Sequence, residues 1–288
     1  MTTVGPEHET VRPPAGAGFT DAVTFAFGDP HEGLYGLARL GLSPAGEAVQ
    51  GSALGVLFSG RENLGVVAEG GVAVAPGAGW EALELAGLMS TSVERPLENW
   101  RVTMTAGDGV GFELELEAIS APASFEAGGM EGYEQLCRVR GTAAGRHVEC
   151  LGQRGHTWGA PDWSKIALAR SVGAWLDDDS ALALTAIRPV GSGNHGDEQV
   201  WAALLDSEGS VPIGDPRLST TYDDEGHQRR AGLELWVGED DEFPRRGAGQ
   251  VLCGSSLELG QLRLECAFFA WQLHGRDGVG RYDVLRKA

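Results

Sequence analysis

Phe112-Glu113-Leu114-Glu115-Leu116-Glu117 alternates apolar and acidic residues without a break. Successive side chains of an extended strand point to opposite faces, so this stretch reads as a strand with one face buried and one wetted. Leu262-Arg263-Leu264-Glu265-Cys266 repeats the pattern, and 34–42, 65–74, 100–105, 181–188, 200–206 and 233–238 carry it less strictly. Turn chemistry separates these runs: Ser43-Pro44-Ala45-Gly46, Ala106-Gly107-Asp108-Gly109, Asp206-Ser207-Glu208-Gly209 and Asp223-Asp224-Glu225-Gly226. Sustained helical periodicity is scarce, and residues 81–90 fit a short helix or a strand. The fold class expected is all-β, built from antiparallel meanders.

The chain has 288 residues, enough for one large or two medium domains, and 44 of them are glycine, which suits a turn-rich fold. A formal charge of −19 argues against nucleic-acid backbones and anionic membrane surfaces as partners, and leaves uncharged or cationic ligands open. No apolar run reaches the length of a membrane helix. Met1 to Gly18 lacks the basic and apolar blocks of a secretion signal, so the cytoplasm is the expected location. Residues 1–20 are expected to form a flexible tail, or an arm crossing a barrel mouth.

Four cysteines suggest a repeat. Twelve residues separate Cys137 from Cys150 and also Cys253 from Cys266, and the same offset of 116 lays Leu136 on Leu252, Glu149 on Glu265 and Gly159 on Gly275. Each unit reads as strand–turn–strand, which implies duplication and a boundary near residues 155–165. The expected division is a barrel over 21–158 and another over 159–288. Without a secretion signal the cysteines are expected as buried thiols, with a cross-strand disulfide as the alternative. No zinc-ligand spacing is present.

At that boundary lies Gly152-Gln153-Arg154-Gly155-His156-Thr157-Trp158-Gly159-Ala160-Pro161-Asp162-Trp163. Two tryptophans and three charged or titratable side chains do not enter an ordinary core without matched partners. Two readings stand: a cavity lining, or a structural corner with Trp158 and Trp163 as plugs and an Arg154–Asp162 strut. The segment resembles the G-x-R-D-H-S-W-G-x-R-D-W signature of the hydroxyneurosporene synthase (carotenoid 1,2-hydratase) and AttH-like superfamily. Gly152, Arg154, His156, Trp158, Gly159, Asp162 and Trp163 match, Thr157 replaces serine, and Gly155 and Pro161 depart from aspartate and arginine. Residues 32–42 and 278–282 are similar more weakly. The resemblance implies two consecutive lipocalin-like β-barrels, with a ligand pocket at or near their interface, in proteins that hydrate, cyclise or bind apolar polyenes and polyketides.

Such chemistry begins with protonation of an alkene by an acid kept neutral through desolvation, and aromatic faces then stabilise the cation. Asp162 has the residue type for that acid, and His156 for a proton donor or relay. Arg154 would anchor a ligand oxygen or hold Asp162 ionised, in which case Asp162 is no acid. Trp158, Trp163, Tyr35 and Trp271 are the aromatic ligand contacts expected. Glycine at 155 shifts weight from a hydratase toward a pericyclic cyclase, which needs no acid, or toward a noncatalytic carrier or sensor. Neither a metal nor an organic cofactor is expected. His195 and the acidic runs 177–179 and 239–242 read as solvated loops, and no nucleotide or serine-hydrolase motif is present.

Overall fold

The computed structural model describes residues 3–13, 15–16, 18–46, 48–238 and 242–288, so most of the acidic run 239–242 lies outside it, as does the His195 side chain. The described residues are mostly strand, contain no α-helix, and divide into two compact units. The first unit is Met1–Phe125 with Gly129–Pro161, and the second is Glu126–Gly128 with Asp162–Ala288.

The first sheet contains β1 (Thr20–Asp29), β2 (Leu34–Ala45), β3 (Ala48–Ser59), β4 (Glu62–Ala73), β5 (Leu83–Leu85), β6 (Met89–Arg95), β7 (Asn99–Thr105), β8 (Gly111–Ala118), β9 (Ala123–Ala127), β10 (Met130–Ala143) and β11 (Arg146–Gly159). Its order is β4-β3-β2-β1-β11-β10-β8-β7-β6-β5, with β9 beside β10. The second sheet contains β12 (Ile166–Leu176), β13 (Ala181–Pro189), β14 (Gln199–Asp206), β15 (Gly209–Pro212), β16 (Asp215–Tyr222), β17 (Gln228–Trp236), β18 (Arg245–Leu259), β19 (Leu262–Leu273) and β20 (Arg276–Lys287). It runs β15-β14-β13-β12-β20-β19-β18-β17-β16.

Both sheets follow one plan. Four strands form a meander, the chain crosses to the far edge and winds back, and the last strand pairs antiparallel with the first: β11 on β1, β20 on β12. Each sheet curls toward closure. A Cβ added to Gly55 on β3 would strike Met104 on β7 and Met89 on β6, and the Ile213 amide, just before β16, donates to Ala202 on β14. The result is a pair of nearly closed lipocalin-like barrels, each with its own apolar interior.

The period-two reading holds in β8, where Phe112, Leu114 and Leu116 are buried and the glutamates between them are exposed. It blurs in β1, which is buried along nearly its whole length on both faces. Residues 81–90 do not form one helix. Trp80–Ala82 makes a single 3-10 turn, followed by β5 and the start of β6.

The cysteine offset has a different meaning from the one expected. Shifting β10–β11 by 116 residues does reproduce the register of β18–β19, with the Ala143–Arg146 turn falling on Leu259–Leu262. By strand order, however, the counterpart of β10–β11 is β19–β20, because those are the strands that close on the first. The offset matches two hairpins of like length at non-equivalent places. In both, the cysteines sit diagonally: Cys137 faces Gly152 and Cys253 faces Phe268, and all four are free thiols.

Candidate functional site

Alternation along β11 sends Arg154, His156 and Trp158 to the barrel interior and Gln153, Gly155 and Thr157 to the opposite face. The inward trio meets residues that are remote in sequence. The N-terminal segment, read above as a tail or an arm across a barrel mouth, makes a 3-10 turn at Pro6–Glu9 and lies against this strand.

Glu9, only 5% exposed, places its carboxylate on the fully buried Arg154. Its oxygens lie 2.6 and 3.0 Å from the guanidinium, accept from Trp100 Nε1 at 2.8 Å, and accept from the Tyr133 hydroxyl. Arg154 also donates to the Tyr133 oxygen at 2.5 Å and stacks over the Trp100 and Tyr133 rings at 4.6 and 5.1 Å. Burial drives the Tyr133 hydroxyl pKa well above its usual range, and the phenol stays neutral.

His156 bonds at both ring nitrogens. Nδ1 lies 2.8 Å from the His8 carbonyl, which only accepts, so Nδ1 carries a hydrogen. Nε2 lies 2.5 Å from Asp21 Oδ1, within hydrogen-bond distance of the carboxyl. The other Asp21 oxygen accepts from the Arg12 amide at 2.7 Å. Burial lowers the His156 pKa, with Asp21 opposing it. Three rings surround the imidazole, with centroids at 5.1 Å for Trp158, 5.7 Å for Trp80 and 5.8 Å for Tyr133. The Arg12 guanidinium caps Trp158 at 4.2 Å.

Glu134, directly across from Gly155 on β10, fills the space a side chain at 155 would take. A Cβ there would come within 2.4 Å of its carboxylate, which accepts from Gln153 at 2.9 Å. An acid is therefore present beside position 155, supplied by the neighbouring strand. On the same face, Arg39 donates to Thr157 and Thr24.

The other expected residues are elsewhere. Asp162 is exposed beyond the end of β11, bonded to Ser164 and paired with Lys165 at 3.2 Å. Those partners hold its carboxyl below the usual range, so it is neither a desolvated acid nor a partner of Arg154. Trp163 belongs to the second unit and packs on Ala127, Ile166 and Ile187. Trp271 is buried inside the second barrel, 5.5 Å from Phe269. Tyr35 is buried on β2, on the face that carries Arg39. Glu9, Asp21, Tyr133, Trp80 and Trp100 were not among the site residues expected from the sequence. The only local cue among them was an acid opening the apolar run 21–27.

The second unit has a cavity of about 1000 Å3 lined by Val200, Leu218, Leu233, Arg217, Arg246 and Glu198. Glu198 is ion-paired with the buried Arg170 and, at 2.5 Å, with Arg188. Arg170 also donates to Thr220, which bonds Tyr282.

A family described as Domain of unknown function (DUF7064) matches residues 5–288. No curated protein matches the chain. Among solved structures, kievitone hydratase from Nectria haematococca is similar at TM-score 0.65 and 10% identity, over 99% of this chain and 93% of that one. An AttH-like protein from Nitrosomonas europaea has TM-score 0.61 and 14% identity, over 98% and 94%. CghA with Sch210972 has TM-score 0.61 and 11% identity, over 94% and 89%. At these identities the likeness is one of fold, and the fold is that of AttH-like lipocalin-type proteins.

Proposed function

We propose that this chain, which belongs to the DUF7064 family, is a cofactor-independent cyclase or hydratase acting on an apolar isoprenoid or polyketide polyene, with cyclisation placed ahead of hydration. The observation that carries this reading is the Asp21–His156 pair, two buried groups in hydrogen-bond contact inside a ring of Trp80, Tyr133 and Trp158. Burial that lowers the imidazole pKa makes its protonated form a stronger acid. Transfer of that proton to an alkene leaves a tertiary cation beside electron-rich ring faces. Attack by a second alkene then closes a ring, whereas attack by water gives an alcohol, and the proton released returns to the pair. A pericyclic closure uses the same enclosure without proton transfer, aided by hydrogen bonds from Tyr133 and Arg154 to a substrate carbonyl.

The fold neighbours support a small-molecule substrate, one being a hydratase and another holding Sch210972. The finer likeness to carotenoid hydratases rests on the 152–163 signature and, more weakly, on residues 32–42 and 278–282. A noncatalytic carrier is the second reading, favoured by the cavity in the second unit with its apolar Val200, Leu218 and Leu233.

The test is to purify the protein from its native host, extract it beside a protein-free control, and analyse the extract by mass spectrometry. The recovered polyene is then incubated with fresh protein and with His156→Ala. Gain of one water, or a new ring at unchanged mass, that depends on His156 supports catalysis. A lipid returned unaltered by both proteins sinks the enzyme reading in favour of carriage.

A further inference from the structure

We propose that Glu9 occupies a binding subsite for an acidic ligand head, and that a carboxylate or ionised enol on the substrate takes its place. The inference rests on the reading of this centre as the ligand site. Trp100 Nε1 on β7, the Tyr133 hydroxyl on β10 and the Arg154 guanidinium on β11 converge on one carboxylate. Sheet register fixes all three donors, and stacking on Trp100 and Tyr133 holds the guanidinium in place. Among the described residues, the neighbours of Arg154 in register are Phe25 on one side and Gln135 on the other, and neither is an acid. A buried guanidinium without a counter-charge bears an uncompensated desolvation cost. The acid therefore comes from a segment that is not part of the sheet.

That segment behaves like a bound ligand. Residues 5–12 engage the centre through the Glu9 carboxylate, the His8 carbonyl on His156 and the Arg12 amide on Asp21. Gly16 and Gly18, on the way to β1, have φ of +102° and +79°, conformations that glycine adopts without steric cost. Exchange of Glu9 for a ligand carboxylate leaves the charge inside the barrel unchanged. It also returns the Glu9 carboxylate to water, which removes the desolvation it bears at 5% exposure. The Arg154 subsite thus selects an acidic head, while Trp80, Trp158 and Tyr133 accept the apolar body.

Full-length Glu9→Ala empties the subsite and is melted in matched chloride and butyrate solutions. A fall in Tm on the order of 10 °C is expected from an unpaired buried arginine. Butyrate in the millimolar range should restore roughly half of the loss in a saturable way, and wild type should not respond. Glu9→Ala/Tyr133→Phe should need several-fold more butyrate. In wild type, octanoate should speed deuterium exchange over residues 5–12, whereas octanol, with the same tail, should not. Butyrate no better than chloride on a folded Glu9→Ala overturns the proposal, as does equal exchange with octanoate and octanol. Should Glu9→Ala fail to fold even from butyrate, the exchange measurement decides. Neither readout involves turnover, so a protein with no cyclase or hydratase activity can still show the subsite.

Discussion

His156 is buried in contact with a carboxyl and three aromatic rings, and that environment sets how the protein responds to acid. Burial lowers its pKa in the folded state relative to the ordinary 6.5. Between the folded and unfolded values the unfolded chain binds more protons, so the stabilisation is present above about pH 6.5 and is lost as pH falls. Denaturant unfolding from pH 8 to 5 should show wild-type stability dropping below 6.5, and His156→Gln should flatten that limb. A parallel curve for the variant would move the cause elsewhere. Gly155 carries a second prediction. Gly155→Asp puts a carboxylate into the space held by Glu134 and should cost roughly 2 kcal/mol, of which Glu134→Ala in the same chain should recover most. Additive losses in the double-mutant cycle would refute the exchange of places. At this scale the sequence was informative only along one strand. Arg154, His156 and Trp158 stand two apart and share a face, as their spacing dictates. Asp162 is as near in sequence but follows the strand's end, where it is exposed and paired with Lys165. Glu9 and Asp21 lie 145 and 135 residues from their partners, a distance over which residue type alone carries no pairing signal.

Strands were legible where one face is wet. β8 has its alternation written in Phe, Leu and Glu because its outer face meets solvent. β1 and β2, buried on both faces, read as mixed apolar runs that do not declare which residues face the interior. The hairpin repeat shows the same limit: twelve residues between cysteines report hairpin length, and strand order, which the sequence does not display, decides equivalence. The diagonal placement of the cysteines yields a prediction. Burial raises the Cys137 and Cys253 thiols to about 12, so neither forms a thiolate near neutrality. Denaturing alkylation without reductant should add four labels, and native protein at pH 8 should label far more slowly than unfolded protein. Two labels per chain would instead indicate a cross-link.

At the level of the whole chain, a charge of −19 sits on a protein whose buried ion pairs are locally balanced. Arg154 with Glu9 and Arg170 with Glu198 are shielded from solvent by their own barrels, and dissolved salt reaches them weakly. The excess negative charge lies among exposed carboxylates, where repulsion opposes the compact state and is screened within about 10 Å at 0.1 M salt. The two populations of charge predict opposite outcomes on adding salt. If surface repulsion dominates, raising sodium chloride from 10 mM to 0.3 M increases Tm by a few degrees and flattens beyond. If exposed pairs such as Arg101 with Glu94 and Glu115 carried net stability, the same salt would lower Tm. Exposed pairs contribute about 0–1 kcal/mol each and unfolded carboxylates repel one another less, so the rise is the expected result. A thermal melt that falls with salt would mean that surface pairing, and not the barrel interiors, governs the charge energetics of this fold.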